Sequence, residues 1–500
     1  MSTRTRERLG LGLILLAVLG IEALGLRSGT VGVALLIALA VIAGVIFAVR
    51  VDLKWAGMGA AVLAAFTLTW NGWFVGPVRP GDALIPIALI CFVLADPNHS
   101  LRWPPWWVKQ LGFVVLLVAA IHIFLPADDL YLSGRTVLTA TGKPTVSTKG
   151  SLASANLGVG IKFIIATVFL AVTFAAAARV DRRAVKWLTV AFAAGSSLSG
   201  VAAFAAKLGF GQLTRLVLRG GRGCSATLGG LCQSANDGGR QLGFSNHPNF
   251  LAAGLCLGVP LAVWLMAKRD RTGKELLLGV LLMPGLILGT YASGSRGGAV
   301  CVVGAVALSV LLFARTRQYL PGFALGGAIV VGAIIAFVPG FGAKILQVTR
   351  LSGSAATAGS DTVRSLVGAQ GVRDFQHSPI QGVGLQVSFE ASQVYLQELA
   401  SGGLLLFTAM SIYMLGGMLE SWGLMRKGDE LAGAILGCLV IILALNIFEA
   451  DLTDRFYYVP VAILVAHLLT LERGEGSEPA EGAAAEEPVA IDVAPAISRR

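Results

Sequence analysis

From Asn249 to Ala267 the chain carries no charged residue, and comparable runs recur from one end to the other. A helix rises about 1.5 Å per residue, so about 20 mostly apolar residues cross a hydrocarbon core of about 30 Å. About fourteen runs qualify, near 10–26, 30–49, 56–74, 83–96, 110–125, 158–178, 187–207, 249–267, 275–293, 298–314, 321–338, 402–421, 432–448 and 456–472. They are continuous rather than alternating, the pattern of helices and not of barrel strands. The fourth is short, which sets the expected count at 12–14. Only 13% of the 500 residues are charged, against about 25% in soluble proteins. That excludes a string of water-soluble domains, a disordered chain, a collagen and a small disulfide scaffold. The expected fold class is all-α and polytopic, with a helical bundle over 1–471. Residues 472–500, rich in Glu, Ala and Pro, read as a disordered cytoplasmic tail.

Basic residues orient the chain, because they accumulate in cytoplasmic loops. Arg4, Arg6 and Arg8 precede the first run, which puts the N-terminus inside. Alternate loops then carry Arg50/Lys54, Arg102/Lys109, Arg179/Arg182/Arg183/Lys186, Lys268/Arg269/Arg271/Lys274, Arg315/Arg317 and Arg426/Lys427. All fall inside with fourteen spans, which leaves 126–157, 208–248 and 339–401 as long outer loops. The basic-then-apolar N-terminus has no obvious small-residue cleavage site and reads as a retained first helix. No P-loop and no HExxH motif occurs in the chain, so neither ATP-driven nor zinc-hydrolase chemistry has support. Cys91, Cys256, Cys301 and Cys438 lie within spans as small packing residues. Cys224 and Cys232 share one outer loop on the oxidising side, where a disulfide is the preferred reading over two free thiols.

Split by side, the 39 Lys and Arg fall 22 inside and 17 outside. Orientation alone needs a steeper bias, although long loops escape the rule. The outer set is clustered: Arg215, Arg219, Arg222 and Arg240 in one loop, and Lys344, Arg350, Arg364 and Arg373 in another. Arg296 stands at a span boundary between glycines, in SGSRGG. A guanidinium is suited to bidentate phosphate recognition. The set therefore points to an anionic ligand such as a lipid pyrophosphate, with anionic headgroups of membrane lipids as the plainer alternative.

Four segments resemble the O-antigen ligase and polymerase family. GFSNHPNFLAAGLCLGVPLAVW (243–264) is similar to its His-Pro-Asn span start, and YASGSRGGAV (291–300) to its Ser-Arg-Gly span start. VRSLVGAQGVRDFQHSPIQGVGLQ (363–386) resembles its arginine-bearing helix and Pro-x-x-Gly-x-Gly turn. SQVYLQELASGGLLLF (392–407) resembles its His-Asn-x-Tyr-Leu-Gln helix. The region covered is 240–407, about a third of the chain. The resemblance implies a GT-C-like bundle in the cytoplasmic membrane, with cytoplasmic termini and an extracytoplasmic active site. It implies transfer of a glycan from a polyprenyl-pyrophosphate donor to a hydroxyl of a glycan or lipid acceptor. No cofactor, metal or nucleic acid enters that reaction. Arg296 and Arg364 match the family's phosphate-facing arginines, while Arg215, Arg219 and Arg222 are candidates by charge and side only. His247, Tyr395 and Gln393 also stand in matched motifs.

At one point the match breaks. Ser392 and Gln393 stand where the family has His-Asn, so its acceptor-activating histidine is missing, and serine is a poor base. Glu390, His377 and Glu398 are nearby substitutes. Glu390 heads a helical stripe with Gln393, Gln397 and Ser401 and is the first choice of base. His377 could equally be a turn residue before Ser378-Pro379, and His247 could belong to a helix start capped by Ser245 or Asn246. Glu22 and His467 within spans require partners or an aqueous cavity. Glu449, Asp451, Asp454 and Arg455 read as a polar turn of mutual ion pairs. Trp103, Trp106 and Trp107 read as an interfacial anchor. A flippase or exporter of lipid-linked glycans is the competing function, and it would need charge along a central cavity.

Overall fold

The computed structural model describes residues 52–73, 79–96, 103–124, 129–132, 136–138, 144–146, 149–210, 240–318, 355–385, 393–447 and 452–475. Helices occupy eleven of the fourteen expected positions; the other three, 10–26, 30–49 and 321–338, lie outside the described residues. They are α1 (Leu53–Thr67), α2 (Pro80–Ala95), α3 (Trp106–Phe124) and α4 (Lys149–Ile164). α4 passes through a π-helical turn, Ile165–Phe169, into α5 (Leu170–Val180), and α6 follows as Ala184–Lys207. Next come α7 (Pro248–Ala267), α8 (Gly273–Ser293) and α9 (Arg296–Leu312). The last group is α10 (Ala355–His377), α11 (Val394–Arg426), α12 (Glu430–Leu445) and α13 (Val459–Glu475). Seven helical stretches are long and apolar enough to cross a membrane, among the described residues, and four shorter apolar helices accompany them. This is a polytopic helical architecture. One departure from all-α is an antiparallel pair, Thr136–Leu138 with Pro144–Val146, in the first long loop.

Local chemistry sets the helix ends. Asp52 caps α1 by accepting from Lys54 N–H at 3.0 Å, and Asp429 caps α12 from Ala432 N–H at 2.9 Å. Thr272 and Glu275 form a capping box at the start of α8, whose last turn closes on Gly294 at φ 59°. α7 is the centre, buried along most of its length and packed by α6, α8, α9 and α12. Between apolar helices in lipid, close packing of small residues replaces the hydrophobic driving force. α6 and α8 use it: a Cβ on Gly289 would lie 2.3 Å from Gly200 Cα.

α11 is broken. Gly403 has φ 61° and ψ −155° inside it, and the turn after α10 fills the break. Val383 and Gly384 N–H donate to Ala400 and Ser401 carbonyls, while Leu404 and Leu405 N–H donate to Pro379 and Ile380 carbonyls. Irregular backbone within a bundle requires such replacement partners. Gly382, at φ 69°, has to be glycine as well, since a Cβ there would lie 2.4 Å from Gly402 N.

Contacts sort the described loops into two ends, grouped as the alternation of basic loops expects. At one end Glu275 bridges Lys186 and Lys268, Arg269 meets Glu430 at 3.7 Å, and His467 meets Asp429 at 2.5 Å. Burial pushes the Asp429 carboxyl up, but His467 and two backbone N–H groups outweigh it and hold the carboxyl below its ordinary value. His467 thus has the partner its depth requires. The three tryptophans divide: Trp103 and Trp106 are exposed, but Trp107 is buried against Gly416 and Tyr413. Trp107 is therefore a core residue and not part of an anchor.

Candidate functional site

The opposite end gathers the polar chemistry around the start of α7. The strand of chain leading into it is tied on three sides. Gln241 N–H donates to Ala292 O at 2.9 Å, Phe244 N–H to Ser199 Oγ at 3.0 Å, and Gly72 N–H to Phe244 O at 2.9 Å. Phe244 also packs against Trp70, ring centroids 4.6 Å apart. So fixed, the segment delivers His247 to the N-cap and Pro248 to the first helical turn, where a missing N–H costs nothing. The cap is His247 itself, not Ser245 or Asn246: its Nδ1 accepts from Asn249 N–H at 3.2 Å. With Nδ1 accepting, the proton of the neutral ring sits on Nε2.

Arg240 lies across this start. Its Nε donates to Ser293 O at 3.0 Å and its Nη2 to Asn249 Oδ1. These two oxygens fix the guanidinium across the start of α7. Ser293 ends α8, and Arg296, three residues on, is the first residue of α9. Ser295 caps that helix, accepting from Gly298 N–H at 3.2 Å. α9 lies close along α7, where a Cβ on Gly298 would stand 2.3 Å from Ala252 Cβ, so two helix N-termini open side by side. Each carries partial positive charge at its start.

Arg364 joins from α10, on the exposed side. Burial pushes the His247 imidazole down, and Arg240 and then Arg364 push it further, to about 4. The ring is therefore neutral near pH 7 and can donate from Nε2. Ser245 Oγ and Asn246 Oδ1 are buried beside it without hydrogen-bond partners. Arg240, Arg364 and a neutral N–H donor beside two helix starts, one of them headed by Arg296, are groups whose chemistry suits an anion with several oxygens, such as a phosphate or pyrophosphate. Among the described residues no group of three or more His, Cys, Asp or Glu could hold a metal ion.

Of the residues expected from sequence, Arg364 lies close enough to His247 to act on its imidazole, and Arg296 heads the neighbouring α9. His377 stands apart. It stacks on Tyr131 at 3.8 Å between ring centroids, and at about 1.5 Å per residue it stands about 20 Å along α10 from Arg364. Tyr395 donates its hydroxyl to Leu443 O at 2.9 Å, and Gln393 precedes α11 without capping it through its side chain. Glu390, Arg215, Arg219, Arg222, Cys224 and Cys232 lie outside the described residues, as do Glu22, Glu449 and Asp451. Arg240 is what sequence reasoning passed over. It stood out only as one outer charge among several, although it precedes the His-Pro-Asn motif by seven residues.

A second polar corner adjoins the first. Asp454 accepts from Asn71 Nδ2 at 2.5 Å and Arg79 Nη1 at 3.1 Å, and Arg455 pairs with Asp82. For Asp454 and Arg455 the expectation of pairing within the turn is corrected, since both reach across to α2 and the residues flanking it. No family model matches the chain, and no curated protein matches it.

Proposed function

We propose that the protein transfers a glycan from a polyprenyl-pyrophosphate donor to an acceptor hydroxyl. The reaction would take place at the outer face of the cytoplasmic membrane, in a bundle of GT-C type. The observation that carries this is the gathering of Arg240 and Arg364 about His247 at the start of α7, with Arg296 heading the adjacent α9. As the glycosidic bond breaks, the pyrophosphate gains negative charge. Donors already fixed in place stabilise that charge most effectively. In this reading Arg240 and the α7 and α9 N-termini hold the pyrophosphate, Arg364 closes over it from α10, and His247 donates its Nε2–H to a phosphate oxygen. The four motifs similar to O-antigen ligases and polymerases supply the sugar transfer. The anion site agrees with that likeness but does not depend on it.

The test uses purified protein, a labelled polyprenyl-pyrophosphate glycan and a panel of oligosaccharide and glycolipid acceptors. Arg364→Ala and Arg296→Ala should each lower transfer about 100-fold or more, within the range for losing one transition-state donor, with the melting temperature unchanged. Full transfer by both variants would remove the arginines from the site. Passage of the label across vesicles without transfer would favour an exporter.

A further inference from the structure

Ahead of its break at Gly403, α11 presents three buried polar side chains on one face. Gln397 and Ser401 stand four apart and Glu398 and Ser401 three apart, so they share a stripe. Gln397 and Ser401 are fully buried, and Glu398 is 2% exposed. Gln397 commits its Oε1 to Leu452 N–H at 2.9 Å, but its Nε2 has no partner, and neither has Ser401 Oγ. Glu398 takes part in no hydrogen bond or ion pair among the described residues.

The break does not account for this. All four backbone groups flanking it are bonded to the 379–384 turn, so the unspent capacity belongs to side chains alone. Folded proteins pair nearly all buried polar groups, and a buried carboxyl without a partner is among the costliest exceptions. Three such groups on one stripe make a built polar site.

Its position ties it to the anion site. α10, which carries Arg364, packs along α11. The 452–455 turn that binds Gln397 also binds Asn71 and Arg79, and Gly72 binds the chain leading into His247. The two sites share one end of the bundle and are joined through that turn.

We propose that this face binds the acceptor hydroxyl and that Glu398 is the catalytic residue taking its proton, which rests on the transfer reading above. A hydroxyl fits because it donates to a carboxylate while accepting from an amide N–H or another hydroxyl. In the step, the acceptor oxygen bonds to the anomeric carbon. The anomeric carbon–oxygen bond to the pyrophosphate breaks, and the pyrophosphate keeps the electron pair. The acceptor's proton passes to the Glu398 carboxylate and from there to solvent.

The experiment is steady-state transfer by full-length protein, with a polyprenyl-pyrophosphate oligosaccharide as donor and the acceptor panel above. Glu398→Gln, nearly isosteric, should lower kcat about 100-fold or more, the range for losing a general base, with the donor KM within about twofold. Glu398→Asp should fall between the two, and Ser401→Ala should raise the acceptor KM about tenfold at little cost in kcat. A Glu398→Gln enzyme at full kcat overturns the assignment and leaves the transfer reading standing. Absence of transfer by the wild-type protein with every acceptor overturns both. Should Glu398→Gln fail to melt cooperatively, the other two variants decide: an unchanged kcat in Glu398→Asp with an unchanged acceptor KM in Ser401→Ala overturns the proposal.

Discussion

Two polar corners share one end of this bundle, and their charges are handled in opposite ways. In the corner formed by Arg79, Asp82, Asp454 and Arg455, each arginine meets a carboxylate. In the corner of Arg240, Arg296 and Arg364, the oxygens that orient Arg240 are a backbone carbonyl and an amide. Equal numbers of opposite charges close on each other and hold α2 and its flank to the turn before α13. In the second corner Arg240 and Arg364 act on His247 and push its imidazole toward the neutral form. We read the first corner as a lock and propose the second as a receptacle, and mutation can break either reading. The largest effect should come from the lock. Asp454→Ala strands Asn71 and Arg79 beside a fully buried position, and loss of one partner of a buried pair costs about 3–5 kcal/mol. Thermal melting of the purified variant should show this as a large fall, with transfer per folded molecule retained. A melting temperature unchanged within a degree would mean that the corner locks nothing.

The receptacle should respond the other way. Arg240→Lys keeps the charge but loses the planar fork that reaches Ser293 O and Asn249 Oδ1 together. Its melting temperature should shift little. Its affinity for inorganic pyrophosphate, measured by calorimetry, should drop about tenfold, or about 1.4 kcal/mol. Equal stability loss in Arg240→Lys and Asp454→Ala would erase the distinction between the corners.

How far each corner could be read from the sequence follows from what local pattern encodes. Apolar runs located eleven helices because each run satisfies its own backbone and needs no partner to be recognised. Arg296, Arg364 and His247 stand out in the sequence because each sits in a short motif at a helix start or on a helix. Pairing across the chain was not. Asp454 meets Arg79 over 375 residues of separation, and nothing near either residue names the other. Trp107 looked like its neighbour Trp106 but faces Tyr413, because register on a helix decides which of two adjacent tryptophans meets the core. The helical stripe through Ser401 and the span after it are both legible in the sequence, but not the break at Gly403 between them, which the Pro379–Gly384 turn fills. Glu398 ranked behind Glu390 for the same reason, since burial without a partner is a property of packing and leaves no local pattern.

The finest difference between the corners is the protonation state of His247, which only the receptacle sets. A free imidazole titrates near 6.5, whereas burial, Arg240 and Arg364 bring His247 down to about 4. The folded ring therefore stays neutral while the unfolded ring takes a proton as pH falls from about 6.5 to about 4. Acid in that window destabilises the folded protein through this residue, and above it the residue contributes no pH dependence. Nitrogen NMR of His-labelled protein should show one ring holding its Nε2–H form at pH 5.5, unlike a free imidazole. Adding inorganic pyrophosphate should raise that ring's pKa, because the anion offsets the two guanidinium groups that depress it. The shift should disappear in Arg240→Lys if pyrophosphate no longer binds, and remain untouched in Asp454→Ala, whose corner does not face the ring. A His247 that titrates near 6.5 in the ligand-free protein would mean that the arginine field does not reach α7, and the receptacle would lose its centre.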